Sequence, residues 1–220
     1  MTSIPPPDDT PENRATFMAR LRPLFPPSIV LDVELAYTLA KFGHRSQTRK
    51  ELGPDGEPLR YFEHVRRVAL ILIDEARIPL REMVLAALLH DCVEDTRDIT
   101  PALIEHSFGT NVTGIVLTLS KVPKEGYLER FTLSTDWRPY AIKACDRLDN
   151  LRSLAGSSRA FQRKQIDETR GKYYVVFDRM LTLAPEEYRT RLSWLRDEIR
   201  ATTERAHARY EATETETAHG

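Results

Sequence analysis

The sequence has little of several things, and each scarcity excludes something. Only two of its 220 residues are cysteine, Cys92 and Cys145. They are far apart and lack CxxC spacing, which argues against a secreted disulfide scaffold and against a structural zinc knuckle. No apolar run approaches the ~20 residues that cross a bilayer. The N-terminal "MTSIPPPDDTPENRATF" has neither a basic n-region nor an apolar h-region, so no signal peptide is expected. Neither charge sign is in excess: 32 basic against 33 acidic side chains leave a net charge of -1. No global field therefore recruits nucleic acid or an acidic membrane, and any anion site must be local. A soluble cytoplasmic protein is the expectation.

What is present is 41% apolar and 30% charged residues, an ordinary globular balance in a chain of the size of one catalytic unit. Alternating β-branched runs are scarce, while apolar residues recur at helical spacing between Pro and Gly, so the fold class is all-α, a compact multi-helix arrangement. The expected organisation is a tail over 1–14, one domain over 15–183, a C-terminal helix packing on it over 184–212, and a second tail over 213–220.

Ser28 is read as the cap of a helix with Ile29, Val33, Ala36, Leu39 and Ala40 on one face, ending near Gly43. "ELGPDGEP" reads as a loop. The next helix carries Val65, Val68, Ala69 and Leu72. After Pro79 a third helix runs from about Leu80 through "HDCVEDT". Thr100 with Pro101 marks an N-cap and first turn, and Gly109 closes that helix. "VTGIVLTLSK" is a further helix, "VPKEGYLERF" a link, and "RPYAIKACDRLDNLRSL" a strong helix interrupted by charge. Two helices finish the chain, about Phe161 to Leu183 and Pro185 to Tyr210, the last with Leu192, Leu195 and Ile199 as its apolar stripe. These helices either complete the core or supply a homodimer interface.

The chemistry concentrates in two of these helices. In a continuous helix His90 and Glu94 share one strip and Asp91 and Asp95 the next, so the four converge on one side. The preceding "VLAALL" is apolar all round, the mark of a buried helix, and carboxylates are seldom buried without a partner or a metal. In the second helix Lys143, Asp146, Arg147 and Asn150 share a face. Plainer readings stand beside both: a solvated cluster at a helix end, and an intrahelical ion-pair ladder. His64 adds a third element, because it opens a helix next to a loop rather than sitting in mid-core. His64, His90, Asp91 and Asp146 together offer two imidazoles and two carboxylates, a set suited to Mn²⁺, Fe²⁺ or Zn²⁺ with open positions. Cys92 and Cys145 read as small buried hydrophobes.

Three ordered segments carry a family resemblance. "HDCVEDT" resembles HDxxEDT, "KACDRLDNLRSL" resembles KxADRLxNxRTL, and "HRSQTRK", "GEP" and "RYFEHV" together resemble HxGQxRKSGEPYxxHP. These are motifs of the RelA/SpoT-type HD-domain hydrolases, and the length is similar to that of the stand-alone small alarmone hydrolases. The resemblance implies an HD-domain fold with a metal site between helices, and hydrolysis of the 3′-diphosphate of (p)ppGpp-like nucleotides to pyrophosphate and GDP or GTP, or the adenine equivalents. It implies Mn²⁺ held by His64, His90, Asp91 and Asp146, with Glu94 and Asp95 managing the attacking water. Arg49 and Lys50 are implied to face the nucleotide, Asn150 the ribose, and Tyr173 the substrate, while Lys143 and Arg147 join Arg49 and Lys50 as local cations that the substrate's two diphosphates need. The implied partner is thus a small nucleotide, with neither nucleic acid nor membrane. Alternatives are a phosphohydrolase of another nucleotide such as NADPH, and an inactive alarmone-binding module. The sequence departs from the pattern in Ser46, in Val65, in Asp149 where a histidine is common, in the longer "ELGPD" loop, and in two extra residues between "GEP" and His64.

Overall fold

The computed structural model describes residues 12–53 and 56–218, with side chains through residue 212. Of the two expected tails, residues 1–11 and 219–220 lie outside the described residues. Asn13 caps helix α1 (Arg14–Leu21), accepting from the amides of Ala15 and Thr16 while Thr16 Oγ1 accepts from Asn13 N at 2.8 Å. This reciprocal pair satisfies donors that the first helical turn leaves without partners.

Helix α2 (Pro27–Gly43) starts one residue before the expected cap. Pro26 is the N-cap, Pro27 takes the first helical position, and Ser28 already lies inside the helix. The fixed φ of proline and its missing N–H suit that first position, so no side-chain cap is needed. The helix ends at Gly43, as its sequence indicated. A Cβ there would lie 3.0 Å from Ile99 Cγ1 and 3.1 Å from Thr96 Cγ2, so glycine lets α2 approach the chain that leaves the "HDCVEDT" segment.

The expected loop "ELGPDGEP" is the turn region of an antiparallel hairpin, whose strands β1 (Thr48–Leu52) and β2 (Pro58–Arg60) take in its two ends and pair Thr48 with Arg60 and Leu52 with Pro58. This hairpin is the one departure from an all-α fold among the described residues. Alternation along β1 half-buries Arg49 and Glu51 and leaves Thr48, Lys50 and Leu52 exposed.

Helix α3 (Tyr61–Leu70) buries Phe62, His64, Val65, Val68 and Ala69 and runs into one π turn, Ile71–Glu75. Helix α4 (Arg81–Leu89) is apolar on every side because every residue from Met83 to Leu89 is fully buried. The expected continuation through "HDCVEDT" is interrupted: α4 stops at Leu89, and a single turn, α5 (Cys92–Asp95), follows. Helix α6 (Pro101–Phe108) has the Thr100 cap, whose hydroxyl accepts from Leu103 N at 3.2 Å, and Gly109 turns the chain at φ +91° into α7 (Thr110–Leu119).

The supposed link after α7 contains a helix, α8 (Tyr127–Leu133). Helix α9 (Trp137–Arg152), capped by Asp136, is the axis of the molecule: it packs against α3, α4 and α7. The stretch read as one helix from Phe161 is divided into α10 (Arg159–Glu168), a π turn (Thr169–Tyr173) and α11 (Tyr174–Leu183). Helix α12 (Glu186–Ala218) buries Leu192, Leu195 and Ile199 and lies along α9 and α11. Truncating a buried α9 leucine such as Leu148, which is 0% exposed, costs about 2–5 kcal/mol through lost burial and the cavity left behind.

Candidate metal centre

The floor of the site is made where α3, the end of α4 and the middle of α9 meet. His64, His90, Asp91 and Asp146 are 1%, 2%, 8% and 5% exposed. His64 Nε2 lies 3.2 Å from Asp146 Oδ1 and 3.8 Å from Asp91 Oδ2, and His90 Nε2 lies 3.1 Å from Asp91 Oδ2. One donor atom each from His64, His90 and Asp146 falls within 4.8 Å of the others. His64 is therefore buried in mid-core, not at a loop edge as its sequence position suggested.

The unused ring nitrogens fix which atoms face inward. His90 Nδ1 lies 2.8 Å from the carbonyl of Ala87. A carbonyl only accepts, so Nδ1 carries a hydrogen and Nε2 is the ring nitrogen turned inward, free to present its lone pair when an ion is bound. That Nε2 is buried without a hydrogen-bond partner, a costly condition that a cation relieves. The same contact gives a reason for the helix break, because Ala87 O is the acceptor that Asp91 N–H uses in an uninterrupted helix.

Electrostatics follow the geometry. Burial alone would raise Asp91, but the adjoining His90 holds its carboxyl well below the ordinary range. Burial would likewise raise Asp146, and the Lys143 ammonium, 2.7 Å from its Oδ2, together with His64 holds it low. His64 is opposed by burial yet lifted to about 9 by its hydrogen bonds to Asp146 and Asp149. Without an ion, a proton on His64 balances these carboxylates; a divalent ion held by these residues would take over that role and displace the proton. Buried imidazole and carboxylate donors with fixed tautomers and an orphaned Nε2 fit a divalent metal.

Above this floor opens a cleft of ≈ 550 Å³. Seven basic side chains line it, Arg49, Lys121, Lys124, Lys143, Arg147, Lys164 and Lys172, against four carboxylates, Asp91, Glu129, Asp146 and Glu168. The nearly neutral chain thus concentrates cations locally. Arg49 donates to Asn150 Oδ1 at 2.8 Å, and Asn150 Nδ2 donates to Asp146 Oδ1 at 2.6 Å. Arg147 reaches Gln165, and its guanidinium stacks 3.9 Å from the Tyr173 ring centroid. Tyr173 is placed on the cleft wall by the π turn.

Lys50 is one of the candidates that the structure puts outside the cleft. On the outer face of β1 it sits 4.4 Å from the Phe161 ring centroid, outside the cleft lining. The resemblance implies that Arg49 and Lys50 both face the nucleotide, whereas a strand sends neighbouring residues to opposite faces. Glu94 and Asp95 lie on α5, beyond the cleft lining. Glu94 accepts from Lys121 N at 3.1 Å and faces its Nζ at 3.4 Å. Asp95 is exposed, and partial desolvation with the charges of Asp91 and Glu94 pushes its carboxyl up. Lys143–Asp146 is an intrahelical ion pair, as the plainer reading of α9 had it, and it also faces the cluster.

Sequence reasoning missed two supports. Tyr61 donates to Asp91 Oδ2 at 2.6 Å and stacks on His44; its i, i+3 relation to His64 was the available signal. Asp149, noted only as a departure, accepts from His64 Nδ1 at 2.6 Å. Cys92 and Cys145 are fully buried, and burial pushes both thiols up, so neither is an activated nucleophile.

The fold is that of an HD-domain protein. A match to the family described as HD domain covers residues 36–131. The chain is 38% identical over 125 residues to the guanosine-3′,5′-bis(diphosphate) 3′-pyrophosphohydrolase MESH1 of Mus musculus, covering 54% of this chain and 67% of that protein. It is 39% identical over 121 residues to the MESH1 of Drosophila melanogaster, covering 52% of this chain and 65% of that one, just under two thirds of its length. A solved structure described as a metazoan ortholog of SpoT that hydrolyzes ppGpp superposes with a TM-score of 0.53 at 29% identity, covering 78% of this chain and 95% of that one. The chain belongs to the RelA/SpoT-type family of HD-domain hydrolases.

Proposed function

We propose that the protein is a metal-dependent phosphohydrolase that removes the 3′-diphosphate of (p)ppGpp-like nucleotides, releasing pyrophosphate and GDP or GTP, or their adenine counterparts. The observation that carries this reading is the His90 Nε2, which makes no hydrogen bond and is buried beside His64 and two carboxylates under a cation-lined cleft. The names of the mouse and fly relatives point to the same reaction. In this reading His64, His90, Asp91 and Asp146 hold the metal, Mn²⁺ in the native protein. When bound, such an ion polarises a phosphoryl oxygen and lowers the pKa of water from 15.7 to about 7.

The chain's own groups supply the rest. Asp95, whose carboxyl is pushed up, and Glu94 orient the attacking water and take its proton, since a base works best with a pKa drawn toward the working pH. Arg49, Lys143 and Arg147 bind phosphoryl oxygens, the arginines through paired N–H donors. Asn150 contacts the ribose and Tyr173 flanks the nucleotide beside Arg147. Proton and leaving group balance: water oxygen bonds to phosphorus, the bond from phosphorus to the 3′-oxygen breaks, and the 3′-oxygen leaves with a proton. None of the helices among the described residues is long and apolar enough to cross a membrane, which accords with action on a dissolved nucleotide in the cytoplasm.

Incubation of the full chain and Mn²⁺ with ppGpp, ppApp and NADPH, followed by chromatography of the products, tests the proposal. Pyrophosphate from ppGpp or ppApp supports it. Absence of pyrophosphate from both contradicts it, and phosphate release from NADPH alone would replace it with the other nucleotide reading.

A further inference from the structure

His64 has two ring nitrogens, and only one can face an ion. Its Nδ1 is 2.6 Å from Asp149 Oδ2. Asp149 is 3% exposed, so water does not satisfy this carboxylate. Its Oδ1 accepts from Arg67 Nε at 2.6 Å, and Arg67 Nη2 lies 3.2 Å from Asp149 Oδ2 and 2.7 Å from Glu51 Oε2. A continuous run of alternating charge thus passes from Glu51 on β1 to Arg67 on α3, across to Asp149 on α9, and back to His64 on α3.

Each member has a physical reason to be there. Asp149 stands one helical turn from Asp146, where a second buried carboxylate repels the first unless it is offset. Arg67 offsets it from one side and His64 from the other. Arg67 is in turn aimed by Glu51, an inward residue of the hairpin that the sequence reading took for a loop. A carboxylate on the far nitrogen of a ligating imidazole fixes the ring and raises its basicity as a ligand.

We propose that Asp149 is a positioning residue that holds His64 with Nε2 toward the ion, and that Arg67 acts on the centre only through Asp149. The position is one where the family pattern commonly has histidine, so the carboxylate support is a property of this chain's own residues. The inference rests on the reading of His64 as a metal ligand.

Titration of the full chain with Mn²⁺ alone, by calorimetry, reads the effect without any substrate. Wild type, Asp149→Asn, Asp149→Glu, Arg67→Gln and the Asp149→Asn/Arg67→Gln double variant are compared, with circular dichroism to establish folding. The expected loss of Mn²⁺ affinity for Asp149→Asn is about 10–100-fold. A smaller loss is expected for Arg67→Gln, and the double variant is no weaker than Asp149→Asn. Asp149→Glu, which keeps the charge, recovers most of the affinity. The absorption spectrum of the Co²⁺-loaded protein shifts in Asp149→Asn, a change that altered packing alone does not produce. Should Asp149→Asn not fold, Arg67→Gln and Asp149→Glu carry the comparison. Affinity within twofold of wild type in Asp149→Asn with an unchanged Co²⁺ spectrum overturns the proposal, as do losses that multiply in the double variant. Wild type that binds no Mn²⁺ overturns the metal reading itself, a separate outcome.

Discussion

Asn150 Nδ2 donates to Asp146 Oδ1 at 2.6 Å while its own Oδ1 accepts from Arg49 at 2.8 Å, so one side-chain amide joins the buried Asp146 carboxylate to a cleft cation. Each end of the amide is specified, because only the NH₂ can donate to a carboxylate and only the oxygen can accept from a guanidinium. Asn150→Asp puts a second negative charge next to Asp146 and loses the donor. We expect a fall in kcat/KM of at least tenfold, whereas Asn150→Ala, which releases Arg49 without adding charge, acts mainly on KM. Steady-state kinetics on the hydrolysed nucleotide separates the two, and equal effects on KM and kcat in both variants would show that the amide does not bridge as described.

Lys143 is 3% exposed and its Nζ lies 2.7 Å from Asp146 Oδ2. Burial opposes its charge, and Asp146 more than compensates, holding it protonated. Removing one partner of such a buried pair leaves the other uncompensated, at a cost of about 3–5 kcal/mol. Lys143→Met falls at the lower end, since Asn150 and His64 still face Asp146. Urea unfolding of the metal-free chain measures this, and a variant as stable as wild type would contradict it. Mn²⁺ stabilises whichever state binds it, by about 2.7 kcal/mol at a hundred times Kd.

Asp74 gives a pH dependence away from the site. Desolvation, with Glu12 and Glu75 nearby, lifts its carboxyl from 3.8 to about 6 although Arg20 Nε lies 2.9 Å away. Its Oδ1 is buried without a partner. The folded state therefore holds the proton more tightly than the unfolded chain, and the associated stability is complete below pH 3.8 and lost as pH rises through about 6. Asp74→Asn removes this slope, so its stability relative to wild type grows between pH 4 and 6.5 by on the order of 2 kcal/mol. Urea midpoints across that window provide the check; a difference that shrinks with rising pH reverses the sign.

Much of this site was legible because its residues are chemically unusual where they stand. His90 and Asp91 follow a helix that is apolar on all sides, and Asp146 interrupts another, so burial and charge conflict visibly in the sequence. The helix break between Leu89 and Cys92 was not legible, because the local pattern continues and the interruption comes with a side chain taking the Ala87 carbonyl. The hairpin was obscured because the inward residues of β1, Arg49 and Glu51, are charged and carry no apolar alternation. Asp149 could not be assigned a partner from its neighbours, since His64 is 85 residues away in the chain and the contact exists only once α3 packs on α9.

Simultaneous measurement of bound Mn²⁺ and pyrophosphate release from ppGpp tests the central claim most directly. The expectation is activity that rises with metal content, saturates at one ion per chain, and vanishes together with metal binding in His90→Ala and Asp146→Ala. Pyrophosphate released at the wild-type rate by either variant, or by chain stripped of metal with a chelator, would contradict it.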